Sequence, residues 1–229
     1  MKIGNIQKTS LIEFPGLICC IIFTQGCNFR CHYCHNPELV LPEKFRDTID
    51  EKFLFDFLER RKKYLEGVTI TGGEPSIQPD IIESIKKIKS MGYKIKFDTN
   101  GSKPEIIEKL LKENLIDYIS MDIKGPLEKY NEIVGIDVEI EKIINSINLL
   151  KESKINYEFR TTVVKSQLEI NDFEKIGKLI KGAKKYYIQK FVPSKLVNEE
   201  FKKEETYTDI EFEKIKEVME KYVNFCGIR

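Results

Sequence analysis

The chain has 229 residues, 41% of them hydrophobic, enough to bury a core of the larger kind. Its 38 Lys and Arg balance 37 Asp and Glu to a net charge of +1, which argues against nucleic acid or an acidic membrane as a partner. Charged residues reach 33% and Trp is absent; this Lys-, Glu- and Ile-rich bias fits a thermophile's ion-paired surface and an AT-rich genome equally.

The opening Met1-Lys2-Ile3-Gly4-Asn5 carries no apolar leader, and no run is long enough to span a bilayer. A reducing, cytoplasmic setting is expected, and of six cysteines only Cys19, Cys20 and Cys226 lie outside one short motif, too few for a disulfide framework.

Residues 17–23 form a β-rich apolar run that reads as a buried strand. It leads directly into Gly26-Cys27-Asn28-Phe29-Arg30-Cys31-His32-Tyr33-Cys34-His35-Asn36-Pro37. Residues 50–65 read as a helix through Phe53, Phe57, Leu58 and Tyr64, and Val68-Thr69-Ile70-Thr71 as a strand ending in Gly72-Gly73-Glu74-Pro75. Ile81, Ile82, Ile85 and Ile88 stripe a helix over 79–91 that Gly92 closes. A strand over 93–98 runs into Thr99-Asn100-Gly101, and a helix begins near Pro104.

A fourth strand, 115–121, ends at Asp122-Ile123-Lys124-Gly125-Pro126. Helices over 140–150 and 172–180 flank a strand over 156–164 that holds Arg160 in an apolar setting, where an unpaired charge is costly. A strand over 186–192 stops at Pro193, 195–206 reads as a polar surface loop, and 209–222 is a helix with Ile210, Phe212, Ile215, Val218 and Met219 as its buried stripe.

Six strands alternating with helices imply parallel βα units joined by right-handed crossovers. The sheet can be an open doubly wound one or a partial barrel, and in either the working site lies at the strands' carboxyl ends. The cysteine motif, Gly72-Gly73-Glu74, Asp98-Thr99-Asn100 and Asp122–Lys124 all fall there, which points to one shared site.

The thiols of Cys27, Cys31 and Cys34 are spaced to surround a single centre. A structural zinc would take a fourth ligand from His32 or His35. A cubane iron–sulfur cluster usually takes four cysteines, and one held by three keeps an iron open to a substrate. Cysteines of this kind can also be small buried hydrophobes.

The three cysteines, with Tyr33 before the last, resemble the signature of the radical S-adenosylmethionine (SAM) superfamily, and Gly72-Gly73-Glu74-Pro75 resembles its SAM-binding turn. Gly26-Cys27-Asn28, Tyr33-Cys34-His35-Asn36 and Asp98-Thr99-Asn100-Gly101 are similar to glycyl-radical enzyme activating enzymes, and residues 9–16, Thr-Ser-Leu-Ile-Glu-Phe-Pro-Gly, look most like activators of anaerobic ribonucleoside-triphosphate reductase. The resemblance spans essentially the whole chain and implies an α/β fold, a partial (β/α)6 barrel, as a single domain over 1–229.

It further implies a [4Fe-4S] cluster on Cys27, Cys31 and Cys34 whose unique iron takes the SAM amino and carboxylate groups. Reduced flavodoxin or ferredoxin supplies the electron, and the 5′-deoxyadenosyl radical takes hydrogen from a glycine of a partner glycyl-radical enzyme. Tyr33, His35, Gly72, Gly73, Glu74, Asp98, Asp122, Lys124 and Arg160 become the expected SAM-binding set. In it, Gly72 and Gly73 let carbonyls approach an ammonium closely, Tyr33 lies beside adenine, and Lys124 faces the SAM carboxylate. Asp98 and Asp122 jointly hold SAM groups or a monovalent cation; a salt-bridge role for the two with Lys124 is the alternative. A His that contacts SAM after the last strand in some activases has no counterpart here, so that contact is either missing or made by another group, with Gln189 the candidate. Two other functions stay open: a radical SAM enzyme acting on a small molecule or peptide, and a zinc-stabilised binding module.

Overall fold

Strands β1 (Ile3–Ser10) and β2 (Cys19–Thr24) pair antiparallel, and β2 then pairs parallel with β3 (Gly67–Gly72) from Cys19 against Gly67 to Thr24 against Gly72. The structure, a computed structural model, describes residues 1–193 and 199–229. β3 pairs parallel with β4 (Lys94–Thr99), and the remaining strands are β5 (Tyr118–Asp122), β6 (Asn156–Val163), β7 (Tyr186–Lys190) and β8 (Cys226–Ile228). β6 pairs parallel with β7 and β7 with β8. The eight strands follow one another across the sheet in sequence order.

The helices are α1 (Pro37–Val40), α2 (Glu51–Arg61), α3 (Ile81–Ser90), α4 (Pro104–Lys112), α5 (Tyr130–Val134), α6 (Ile140–Glu152), α7 (Asp172–Leu179) and α8 (Asp209–Met219). Residues 1–28, 36–99 and 105–119 pack as one compact unit, and residues 29–35, 100–104 and 120–229 as a second.

In the first unit β2 and β3 are buried along almost their whole length, as continuous apolar runs require when helices cover a parallel sheet. Ile81, Ile82, Ile85 and Ile88 of α3 are all buried, as their spacing predicts, and Gly92 follows at φ +93. Asp50 caps α2 by accepting from Lys52 N at 2.7 Å. Its buried stripe is Leu54, Phe55, Phe57 and Leu58, so Phe53 and Tyr64, expected inside, are exposed. Phe53 lies about 40° outside Phe57 at the stripe's edge, about 120° from its centre, and Tyr64 lies beyond the end of α2.

In the second unit α8 begins with a capping box, Thr208 and Glu211 each bonding the other's backbone N–H. Phe212, Ile215 and Met219 are buried, whereas Ile210, five residues before Ile215 and so about 140° around the helix, is exposed. Of the expected loop over 195–206, residues 195–198 lie outside the described residues, while Glu199–Lys203 forms a 3₁₀ turn. No helix among the described residues is long and apolar enough to cross a membrane.

Candidate active site

In the first unit the chain leaves β2 through Gln25 and Gly26 toward Cys27, directly beside the glycine turn that ends β3. Gly73 N donates to Thr24 O at 2.8 Å, and Glu74 N donates to Gly26 O at 2.8 Å. Gly72 has φ +116, a conformation L side chains rarely adopt. A Cβ on Gly73 would stand 2.0 Å from Gly26 O. Both glycines are therefore demanded by backbone packing against the entrance of the cysteine loop, before any ligand is considered. Gly73→Ala is expected to destabilise the protein by about 1–3 kcal/mol through overpacking, read as a lower denaturant midpoint.

Glu74 is buried and accepts from Ser76 N at 3.0 Å and from Thr99 Oγ1 at 2.7 Å. Its carboxylate thus ties the end of β3 to the end of β4. Asp98, also buried, accepts from Lys96 Nζ at 2.6 Å, and the same ammonium bonds Glu13 Oε1 at 2.9 Å. Sequence reading missed Thr99 as a partner of Glu74 and missed Lys96 and Glu13 beside Asp98.

In the second unit Cys34 N donates to Cys31 O at 3.1 Å, and Arg30 N donates to Val134 O at 2.8 Å, seating the motif against α5. Tyr33 is buried, edge-on to Phe191 with ring centroids 6.5 Å apart. His35 Nε2 lies 2.9 Å from Val192 O with its ring against Phe191, and His32 stacks on Phe201. Both imidazoles thus pack on the segment that follows β7. Gln189 lies in β7 opposite Thr162.

Asp122 gathers the cations of this unit. Lys124 Nζ donates to Oδ2 at 2.9 Å and Arg160 Nε to Oδ1 at 2.5 Å. Arg160 thereby finds the carboxylate its apolar strand demands, and the salt bridge weighed for Lys124 is present. Burial opposes the Asp122 charge, but Arg160 and Lys124 outweigh it and hold the carboxyl well below the usual range. Burial likewise opposes the Lys124 charge, and Asp122 foremost overrides it, raising the ammonium well above its ordinary value. Lys124 Nζ also stands 5.8 Å from the Tyr33 ring centroid, and Lys124 N donates to Tyr130 Oη, a partner that sequence reading missed.

Asp122→Ala should cost about 3 kcal/mol, since two cations lose a shared carboxylate. A depressed carboxyl contributes stability that is complete above its unfolded value and is lost as pH falls through the folded one. Wild-type protein should therefore lose stability relative to Asp122→Asn below about pH 4, as denaturant midpoints across pH would show.

The six cysteines divide by exposure. Cys19, Cys20 and Cys226 are buried, whereas Cys27, Cys31 and Cys34 are half-buried thiols. Burial pushes Cys20 and Cys226 up to about 12, which makes them inert. Burial raises Cys31 too, but there Lys124 pulls the other way. Among the described residues no three His, Cys, Asp or Glu side chains are grouped as on a single metal ion.

These features belong to a recognisable class. A family model described as the radical SAM superfamily matches residues 21–180. A protein of Methanocaldococcus jannaschii named as a glycyl-radical enzyme activating enzyme is 36% identical over 99% of this chain and 95% of its own length. A pyruvate formate-lyase-activating enzyme of Clostridium pasteurianum is 29% identical, covering 81% of this chain and 85% of its own. QueE from Escherichia coli shares the fold with a TM-score of 0.59 at 15% identity, over 100% of this chain and 93% of that one. The chain belongs to the radical SAM superfamily and, within it, to the glycyl-radical enzyme activating enzymes. It is thus an oxidoreductase, and the expected fold class is borne out.

Membership implies an iron–sulfur cluster and SAM, and the side chains fit both. Thiolates are the soft donors that iron–sulfur clusters take, and the three half-buried cysteines supply them within eight residues. Tyr33 Oη is buried with no hydrogen-bond partner among the described residues. A polar atom so placed costs about 1–3 kcal/mol, a cost that a polar ligand beside it removes.

Proposed function

We propose that this chain, working as a single radical SAM domain over 1–229 in the cytoplasm, activates an anaerobic ribonucleoside-triphosphate reductase by generating a glycyl radical on it. Cys27, Cys31 and Cys34 hold a [4Fe-4S] cluster, and reduced flavodoxin or ferredoxin is the electron donor. When bound, the cluster and SAM supply the one-electron chemistry that removes a hydrogen atom from a glycine of the partner protein. The observation that carries this reading is the segregation of the motif's three half-buried cysteines from the three buried ones.

Each side chain then has a task. Lys124 presents its ammonium to the SAM carboxylate, while Asp122 keeps it charged and Arg160 keeps Asp122 in place. Tyr33 offers a ring face and a buried hydroxyl to the adenosine, and His35, held against Val192 O, flanks the same group. Gly72 and Gly73 put the backbone where an amino group can meet their carbonyls, with Glu74 bracing the turn through Thr99. Asp98 completes the set, and the partner's glycine suits the task because its size permits close approach of the reacting carbon.

The test is SAM affinity. Lys124→Met leaves Asp122 paired with Arg160, so the fold persists while the charge-assisted contact is lost. Affinity should fall by roughly tenfold to a hundredfold with iron content unchanged, as measured by equilibrium dialysis and iron analysis. Unchanged affinity would place SAM elsewhere.

A further inference from the structure

We infer that the ammonium of Lys96 is a built-in counter-cation for Asp98, so that this enzyme needs no monovalent metal ion there. The resemblance to activases implies such an ion at Asp98 and Asp122, and the side chains present do not fit one. The inference rests on the reading that both carboxylates belong to the SAM-binding set.

Lys96 and Asp98 are two residues apart on β4, so the pleat puts them on one face of the strand. Nζ stands 2.6 Å from Asp98 Oδ1 and 2.9 Å from Glu13 Oε1. The lysine side chain is 2% exposed and the aspartate 4%. Lysine is almost never buried to that degree unless it is paired. Lys94, two residues earlier, shows what an ordinary lysine on this strand does: its side chain is 62% exposed and reaches Asp117 at the surface.

A potassium or sodium ion at Asp98 would have to sit beside that ammonium. Two unit charges at contact distance in a site this dry repel strongly, and Lys96 cannot withdraw without leaving the Asp98 oxygen it bonds. Asp122 offers no better place, because Lys124 and Arg160 already give it more positive charge than it can balance. The carboxylates that would ligate a metal ion are thus each served by a cation of the chain itself. Lys96 is a positioning residue: through Glu13 it also anchors the turn that follows β1, and through Asp98 it fixes a carboxylate at the end of β4.

The test compares wild-type holoenzyme with Lys96→Met in tetramethylammonium chloride, KCl and NaCl at equal ionic strength, reading SAM affinity and melting temperature. Wild-type protein should show one melting temperature and affinities within about twofold in all three salts. Lys96→Met should melt lower in tetramethylammonium chloride, recover in KCl or NaCl, and bind SAM about tenfold more tightly with the small ions present. A wild-type enzyme that gains about tenfold from potassium or sodium overturns the inference. So does a Lys96→Met variant indifferent to the salt. Should that variant fail to fold, the wild-type arm decides alone. Absence of SAM binding throughout would instead count against the proposed function, and the melting temperatures would still report on the cation.

Discussion

Alanine at Cys27, Cys31 or Cys34 is expected to strip the protein of its iron. Anaerobically purified wild-type protein is expected to be brown, with about four iron and four sulfide per chain, and each of the three variants to be nearly colourless. A cluster held by three thiolates has no spare protein ligand, so losing any one leaves two irons without protein attachment. The same replacement at Cys19, Cys20 or Cys226 should leave iron content unchanged. Those thiols are buried, and what they contribute is packing. Stoichiometric zinc in protein never exposed to oxygen would contradict the assignment.

Much of this arrangement is legible in the sequence, and the omissions have physical causes. The strands β2 to β7 announce themselves as apolar, β-branched runs because parallel strands covered by helices are buried on both faces. β1 does not, since its residues Ile3–Ser10 leave most positions half or fully exposed and it pairs antiparallel at the edge. β8 spans only Cys226–Ile228, too short for any periodicity. Arg160 is legible because a charge interrupts an apolar strand. Lys96 obeys the same logic but is disguised by Lys94, whose spacing suggests two solvated lysines. Their fates diverge because the strand carries Lys96 away from solvent toward Asp98 and Glu13. Glu13 and the Glu74–Thr99 bond join residues 83 and 25 positions from their partners, and local patterning holds no record of such pairings. The glycine turn was legible as a motif, but the cause that packing gives it, the close approach of Gly73 to Gly26 O, is not.

The hydrogen atom is expected to come from a glycine of another protein. Glycyl-radical enzyme activating enzymes act on a protein, and in the proposed function the docked partner supplies the hydrogen atom. Reduced protein with SAM alone should therefore cleave SAM slowly. Substrate docking changes that by placing a glycine within reach, and proximity of this kind is worth several orders of magnitude in rate. The decisive measurement is electron paramagnetic resonance on the reduced, SAM-loaded enzyme mixed with the anaerobic ribonucleoside-triphosphate reductase of the same organism. A stable glycyl radical should appear on the reductase and be absent when its radical-site glycine is replaced by alanine. If no glycyl-radical enzyme acquires such a signal while a small metabolite or peptide is turned over with SAM, the account is contradicted.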